Sequence, residues 1–251
     1  MRILGIESSS LVASVAIVTD GVLTGEYTMN YKKTHSQTLL PMLDELTRML
    51  DLDLETVDGV AVSGGPGSFT GLRIGSATAK GLGLALKKPL IHVPTLDAMA
   101  YNLWGAEALI CPIMDARRNQ VYTGVYQVKS SLTVVKPQCA MDMGELIEEL
   151  NEKNRPVIFL GDGVPVFQNL IREKMTVPFQ FAPPQMNRQR AASVAALGAL
   201  YMKEGKVEDA KDHTPDYLRK SQAEREREGK ELLAGDGGSQ PCNFNRLEEG
   251  K

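Results

Sequence analysis

The chain has 251 residues, of which 43% are apolar and 24% charged, and its 28 basic and 31 acidic side chains nearly balance. This length can bury a full core and allows one domain or two small ones. No apolar run reaches the ~18 residues of a membrane span, and the start, MRILGIESSS, has no secretory-signal pattern. We therefore expect a cytosolic globular protein, and the balanced charge argues against strong nucleic-acid binding by this chain alone.

The first half of the sequence predicts three strands followed by alternating helices and strands. The strands RILGIES, VASVAIVTD and VLTGEYTMN come first, and Asp20-Gly21 is a hairpin signal between the last two. A helix over 36–50 follows, with leucines at helical spacing and Pro41 near its first turn. The strand VDGVAVSG, a helix over 69–86, the strand PLIHV and a helix that opens at Thr95 complete this half.

The second half repeats this order. LICPIMDA, QVYTGVYQV and LTVV are predicted strands, and they are followed by the helix MGELIEELNEK, the strand PVIFLGD, the helix PVFQNLIREK and a long helix in RQRAASVAALGALYMKEG. The pattern predicts a tandem α/β protein with subdomains at 1–106 and 107–211. The charged tail, 212–251, is either a solvated extension or an arm that orders on a partner, with Tyr217 and Leu218 as its anchors.

Cysteine and histidine positions show neither a disulfide framework nor a metal site. These six residues are Cys111, Cys139, Cys242, His35, His92 and His213. The cysteines are odd in number and form no CxxC pair, so we expect reduced thiols. The histidines lack HxxxH and HExxH spacing, which excludes a helical zinc pair. We therefore expect no metal ligands.

The glycine-rich stretch SGGPGSFTGLRIG could hold a phosphate, but it matches neither nucleotide motif. Leu72 and Arg73 follow Gly71 where a Walker loop needs Lys and Ser or Thr, and the glycine spacing is GxGxxxG rather than GxGxxG. Free N–H groups at Gly65, Gly67 and Ser68 could still accept an anion at the helix start, which is a weak prediction. Ser68 itself is expected to be the helix N-cap.

Four glycines inside the helix 69–86 need an explanation, because each costs about 1 kcal/mol relative to alanine. Gly71, Gly75, Ala79 and Gly83 recur every four residues and leave one face almost bare. This face can pack closely against the chain's own sheet or against a helix of another protein. The sequence leaves both alternatives open.

Four motifs, GPGSFTGLRIG, THSQTLLPMLDEL, MDARRNQVY and YLRKSQAERE, resemble the TsaB family of the bacterial tRNA threonylcarbamoyladenosine machinery, over most of the chain to about Arg227. The resemblance implies the actin-like fold (ASKHA, ribonuclease H-like) with two subdomains. It also implies that Thr95 and Met99 replace the two metal-binding histidines of the catalytic relative, TsaD. Glu7 occupies a position where many members of the fold carry an acidic residue near the phosphates, and its implied role here is structural.

The resemblance further implies a non-catalytic subunit that binds and activates TsaD, which modifies the adenosine after the anticodon of ANN-decoding tRNAs. The implied partners are TsaD, the ATPase TsaE, a second copy of the chain when it is alone, and tRNA through the complex. No cofactor is expected in the isolated chain, and whether ATP or ADP binds at a partner interface stays open. The residues expected at the TsaD contact are Leu39, Leu40, Leu43, Leu46, Gly71, Leu72, Gly75, Ser76, Ala79 and Lys80.

Two other functions remain as alternatives. One is a small-molecule kinase or acyltransferase that uses Glu7, Ser9 and the glycine loop around Mg-ATP, and tight nucleotide binding by the isolated chain would favour it. The other is a metallopeptidase, which the missing histidine pair argues against.

Overall fold

The computed structural model describes residues 1–218, and the first part of this range forms a five-stranded sheet with its helices. Its elements are β1 (Arg2–Glu7), β2 (Val12–Thr19), β3 (Val22–Asn30), α1 (His35–Met49), β4 (Gly59–Gly65), α2 (Phe69–Leu86), β5 (Leu90–Pro94) and α3 (Thr95–Tyr101). The strand order is β3-β2-β1-β4-β5, with β1 antiparallel to β2 and parallel to β4. The predicted order of strands and helices is confirmed.

A second five-stranded sheet follows. Its elements are β6 (Leu109–Asp115), β7 (Gln120–Val128), β8 (Leu132–Asp142), α4 (Met143–Glu152), β9 (Val157–Leu160), α5 (Val164–Lys174), β10 (Phe179–Phe181) and α6 (Ala191–Lys203). Its order, β10-β9-β6-β7-β8, repeats that of the first sheet strand for strand. Two copies of this topology make the tandem actin-like fold that the sequence predicts.

Alternation along the first sheet sends apolar side chains to both of its faces, because successive residues of a strand point to opposite sides. Leu4 and Ile6 of β1 pack in one cluster with Leu39 of α1 and Ala79 of α2. Ile3 packs in a second cluster with residues of β5, α3 and α6. The first sheet is therefore buried on both faces, with α1 and α2 on one side and α3 and α6 on the other.

The second sheet has the same layered construction. One face packs against α4 and α5, with Phe159 and Phe167 among the largest buried side chains. The other face packs against α3 through Leu96 and Met99. Helix α3 therefore contributes to the cores of both sheets. The proposed boundary between subdomains at 106 and 107 falls between α3 and β6.

Three details differ from the sequence expectations. Pro41 is the seventh residue of α1 rather than part of its first turn, but it is exposed, so the carbonyl left unpaired by a proline can meet water. The strand β10 was not predicted. The start of the tail lies against the body, since His213 is 1% exposed.

The rest of the predicted tail, 219–251 with Cys242, lies outside the described residues. Within residues 1–218, none of the helices has the length and apolar character that crossing a membrane requires.

Candidate functional site

The glycine loop between β4 and α2 is held by the turn that follows β1. The backbone N–H of Ser68 donates to the Ser9 carbonyl at 2.6 Å. The Ser68 hydroxyl accepts from the Gly71 N–H at 3.3 Å, which confirms its predicted role as the N-cap of α2. The loop is therefore held in place by hydrogen bonds to its own chain.

The bare face of α2 lies against the same turn. A methyl group added at Gly71 would overlap the Ser8 carbonyl oxygen, and one added at Gly75 would overlap the Ser8 hydroxyl. The Ser8 hydroxyl in turn donates to the Gly71 carbonyl at 2.9 Å. Of the two alternatives that the sequence left open, the structure places these two glycines in contact with their own chain.

The weak anion site at Gly65, Gly67 and Ser68 has few free donors. The Gly65 N–H donates to the Thr95 hydroxyl at 3.2 Å, and the Ser68 N–H is used as described above. Gly67 approaches the Ser9 carbonyl so closely that a methyl group would overlap it. A carbonyl oxygen at this point repels an anion, so the loop geometry disfavours phosphate.

Glu7 lies under this loop and is 1% exposed. Its Oε1 accepts from the N–H and the hydroxyl of Ser9, both at 2.6 Å. Burial raises the pKa of the Glu7 carboxyl to about 7, despite the opposing effect of the Ser9 hydrogen bonds. Glu7 can therefore hold a proton near neutral pH, and its bonds fix the turn that contacts α2.

Thr95 and Met99 are fully enclosed at the start of α3, at 0% and 1% exposure. The Thr95 hydroxyl accepts from the Gly65 N–H, and Met99 packs with Ile110 and Leu160. Neither side chain offers the imidazole nitrogen that the catalytic relative is expected to use. Both serve the contact between α3 and its neighbouring strands.

The motif MDARRNQVY forms the turn between β6 and β7. Arg117, Arg118 and Asn119 all have positive φ, at 66°, 54° and 59°, a conformation that non-glycine residues adopt at a cost of about 1–3 kcal/mol each. Asp162 interacts electrostatically with Asp115, the last residue of β6 before this turn, and burial raises the pKa of the Asp162 carboxyl. The strain of the turn could not be read from the sequence, because arginine gives no signal for positive φ.

Most residues of the expected TsaD contact are buried inside the chain. The buried ones are Leu39, Leu43, Leu46, Gly71, Leu72, Gly75, Ser76 and Ala79. Leu40 is 54% exposed, and Lys80 is partly exposed, with its Nζ donating to the carbonyls of Lys211 and His213. The buried members position α1 and α2, and direct contact with another protein is open mainly to Leu40 and the outward side of α2.

We define the outer helix face as the exposed positions Leu40 on α1 and Arg73, Ala77, Gly81 and Leu84 on α2. Ala77 and Gly81 are four residues apart, so they lie on one side of the helix. Within the described residues, no atom outside the backbone of its own helix and its immediate neighbours lies within 4 Å of the place that a Gly81 Cβ would take. Of the outer helix face, only Leu40 was among the contact residues expected from the sequence, which otherwise assigned mostly inward-facing residues to the partner.

The structure also assembles a cluster that sequence spacing did not show. His92 of β5 meets Glu208 and His213, and one ligand atom from each lies within 4.8 Å of the others. His92 is far from Glu208 and His213 in the chain, so no spacing rule could connect the three residues. The antiparallel bridge between Leu90 and Glu208 brings them together.

Comparisons with known proteins agree with this architecture. The family model described as TsaD, tRNA N6-adenosine threonylcarbamoyltransferase, matches residues 24–227. The tRNA threonylcarbamoyladenosine biosynthesis protein TsaB of Bacillus subtilis is 35% identical over 226 residues, covering 89% of this chain and 96% of the relative. The Escherichia coli protein of the same name is 28% identical, covering 92% and 100%.

A crystal structure from Pseudomonas aeruginosa, described as an uncharacterized protein with similarity to peptidase YEAZ, superposes with a TM-score of 0.72 at 25% identity. The match covers 87% of this chain and 99% of that one. Together with the duplicated sheet topology, these similarities show that the chain belongs to the TsaB family of tRNA threonylcarbamoyladenosine biosynthesis proteins.

Proposed function

We propose that this protein is the non-catalytic subunit of the complex that forms N6-threonylcarbamoyladenosine next to the anticodon of ANN-decoding tRNAs. In this role it binds the TsaD catalytic subunit through the outer helix face and holds it in an active state. Family membership supports the pathway. The internally bonded glycine loop and the enclosed Thr95 and Met99 support the absence of catalysis.

The exposed position of Gly81 is the observation that best supports the proposed partner contact. A glycine inside a helix costs about 1 kcal/mol relative to alanine, and packing within residues 1–218 gives no reason for it, because the space beside Gly81 is open. A bare position on an exposed helix face lets a second helix approach closely. Leu84, three residues further along α2, and Leu40 of α1 add exposed apolar side chains to the outer helix face, at 58% and 54% exposure.

The remaining partners follow from the same proposal. TsaE joins the pair, and tRNA binds chiefly to the complex, since the chain is slightly acidic. When TsaD is absent, the outer helix face of one copy would meet that of a second copy as a homodimer. The buried leucines Leu39, Leu43 and Leu46 act indirectly, by holding α1 against the sheet. Any ATP or ADP is then bound at a partner interface rather than by the isolated chain.

The variant Gly81→Leu tests this contact. The added side chain enters open space, so we expect the melting temperature to stay equal or rise, in line with the higher helix propensity of leucine. At a close helix contact the same bulk costs about 1–3 kcal/mol, a roughly tenfold to hundredfold loss of affinity for TsaD. Titration calorimetry and tRNA modification by the reconstituted complex measure this effect.

Asn169→Leu is the matched control, because Asn169 is an exposed position on the second half's helix α5. It should leave TsaD affinity unchanged. A Gly81→Leu protein that binds and activates TsaD as well as the control would show that the outer helix face is not the contact.

A further inference from the structure

The imidazole of His213 is enclosed next to a carboxylate. Its side chain is fully buried, and its Nδ1 lies 2.5 Å from Glu208 Oε1. Its Nε2 is also buried, yet no hydrogen-bond partner for it exists among residues 1–218. Because Nε2 lies across the ring from Glu208, Nδ1 is the nitrogen that can share a metal ion with this carboxylate.

A second imidazole is held beside it. The His92 and His213 ring centroids are 5.6 Å apart, and His92 Nε2 lies 3.2 Å from Asp216 Oδ2. The His92 ring lies against Gly64 so closely that any Cβ there would overlap it. Gly64 is therefore needed to seat this histidine, and the carboxylate fixes its orientation.

We propose that His92, His213 and Glu208 bind a divalent transition-metal ion, with Zn²⁺ as the favoured ion, and that Asp216 orients His92 as an outer partner. Two imidazoles and a carboxylate are a usual donor set for zinc. The ligand atoms lie within 4.8 Å of one another. Metal–ligand bonds of about 2.0–2.2 Å require the contact between His213 Nδ1 and Glu208 Oε1 to open and His92 to move toward the ion. A carboxylate that hydrogen-bonds the other nitrogen of a ligating histidine is a common feature of such sites.

The metal would tie the end of the described chain to the first sheet. The segment 208–216 already runs along β5 and the glycine loop, since Leu90 and Glu208 exchange two backbone hydrogen bonds and the Asp216 N–H donates to the Gly64 carbonyl at 2.6 Å. An ion shared by His92 on the strand and His213 on the segment links the same two elements. The role that this geometry supports for the ion is therefore structural.

Calorimetric titration of the metal-free full-length protein with Zn²⁺ tests the proposal, with Cys242→Ser as the background so that this thiol cannot contribute. We expect one ion per chain, a rise in melting temperature with Zn²⁺, and visible absorption of a tetrahedral site with Co²⁺. His92→Gln and Glu208→Gln should each abolish saturable binding. Asp216→Asn, which alters only the outer partner, should weaken it by about 10–100-fold.

Glu204→Gln is the matched control, since Glu204 is an exposed acidic residue shortly before Glu208, and it should leave binding unchanged. Neither His92 nor Glu208 is fully buried, so their variants should fold, which circular dichroism verifies. No saturable Zn²⁺ binding, or binding that survives both substitutions, would overturn the proposal and leave the cluster as a hydrogen-bond network. If the proposal holds, the expectation of no metal ligands is wrong.

Discussion

Gly71 and Gly81 lie on the same helix, yet they have opposite surroundings. Gly71 faces the Ser8 carbonyl, which is backbone and cannot move aside, whereas the place beside Gly81 is open. The first glycine is therefore explained by packing within the chain. The second is not, and for this reason it supports a partner. Residue identity alone would not distinguish them.

Alanine at these two positions should separate the two roles. Gly71→Ala overpacks a buried contact, which typically costs about 1–3 kcal/mol, and this lowers the melting temperature by several degrees for a chain of this size. Gly81→Ala should raise stability by up to about 1 kcal/mol. Thermal unfolding followed by circular dichroism compares them directly. Equal melting temperatures for the two variants would contradict the close contact at Ser8.

Glu7 predicts a dependence of stability on pH. Its folded pKa of about 7 is higher than the ordinary 4.5 because the carboxyl is buried. The folded state therefore holds the proton more tightly, so the stabilisation is complete below about pH 4.5 and is lost as pH rises through 7. The size of the pKa difference limits this change in the free energy of unfolding to about 3 kcal/mol.

The Glu7→Gln variant keeps an oxygen that can accept from Ser9 but cannot ionise. Urea unfolding at about pH 5 and about pH 8 should show a smaller loss of stability for Glu7→Gln than for the native chain. Glu55→Gln, at an exposed position, is the control and should behave like the native chain. Parallel pH dependence in the native chain and Glu7→Gln would mean that Glu7 is ionised throughout this range.

At the scale of elements, one side of α1 packs in the core while another side is exposed and open to a partner. Leu43 is 3% exposed and belongs to the core, while Leu40, three residues earlier, is 54% exposed. Leu43→Glu should bury an unpaired charge and unfold the chain. Leu40→Glu should change the free energy of unfolding by no more than about 0.5 kcal/mol, and it should weaken TsaD binding in a calorimetric titration. If Leu40→Glu binds TsaD normally, α1 contributes no direct contact.

The existence of most elements could be predicted because alternation and helical spacing are local properties of the sequence. The strand β10 was not predicted because Phe179–Phe181 is too short to show alternation. The inward side of α2 could not be predicted either, since small residues occur around the whole helix. Which of them meets another backbone depends on the turn after β1, which is distant in sequence.

For the whole molecule, the tandem topology was predictable because its two halves repeat the same order of elements. The His92 cluster was not, because it depends on the chain returning to β5 after α6. This return also covers the glycine loop, where Asp216 meets Gly64 and Tyr217 stacks near Phe69 at 4.8 Å between ring centroids. The start of the predicted tail is thus part of the folded body.

Shortened chains test this closing role. A chain that ends at Val207 loses the two Leu90–Glu208 bonds and the Asp216–Gly64 bond, which at about 1 kcal/mol each is a loss of about 3 kcal/mol. It also uncovers the core around Ala210. Its melting temperature should fall by roughly 6–12 °C, as measured by calorimetry in the presence of a metal chelator so that any bound ion does not contribute.

A chain that ends at residue 228 keeps every contact of the described residues and should melt like the full-length protein. If the shorter chain melts at the same temperature as the longer one, the segment 208–218 only rests on the body and does not stabilise it.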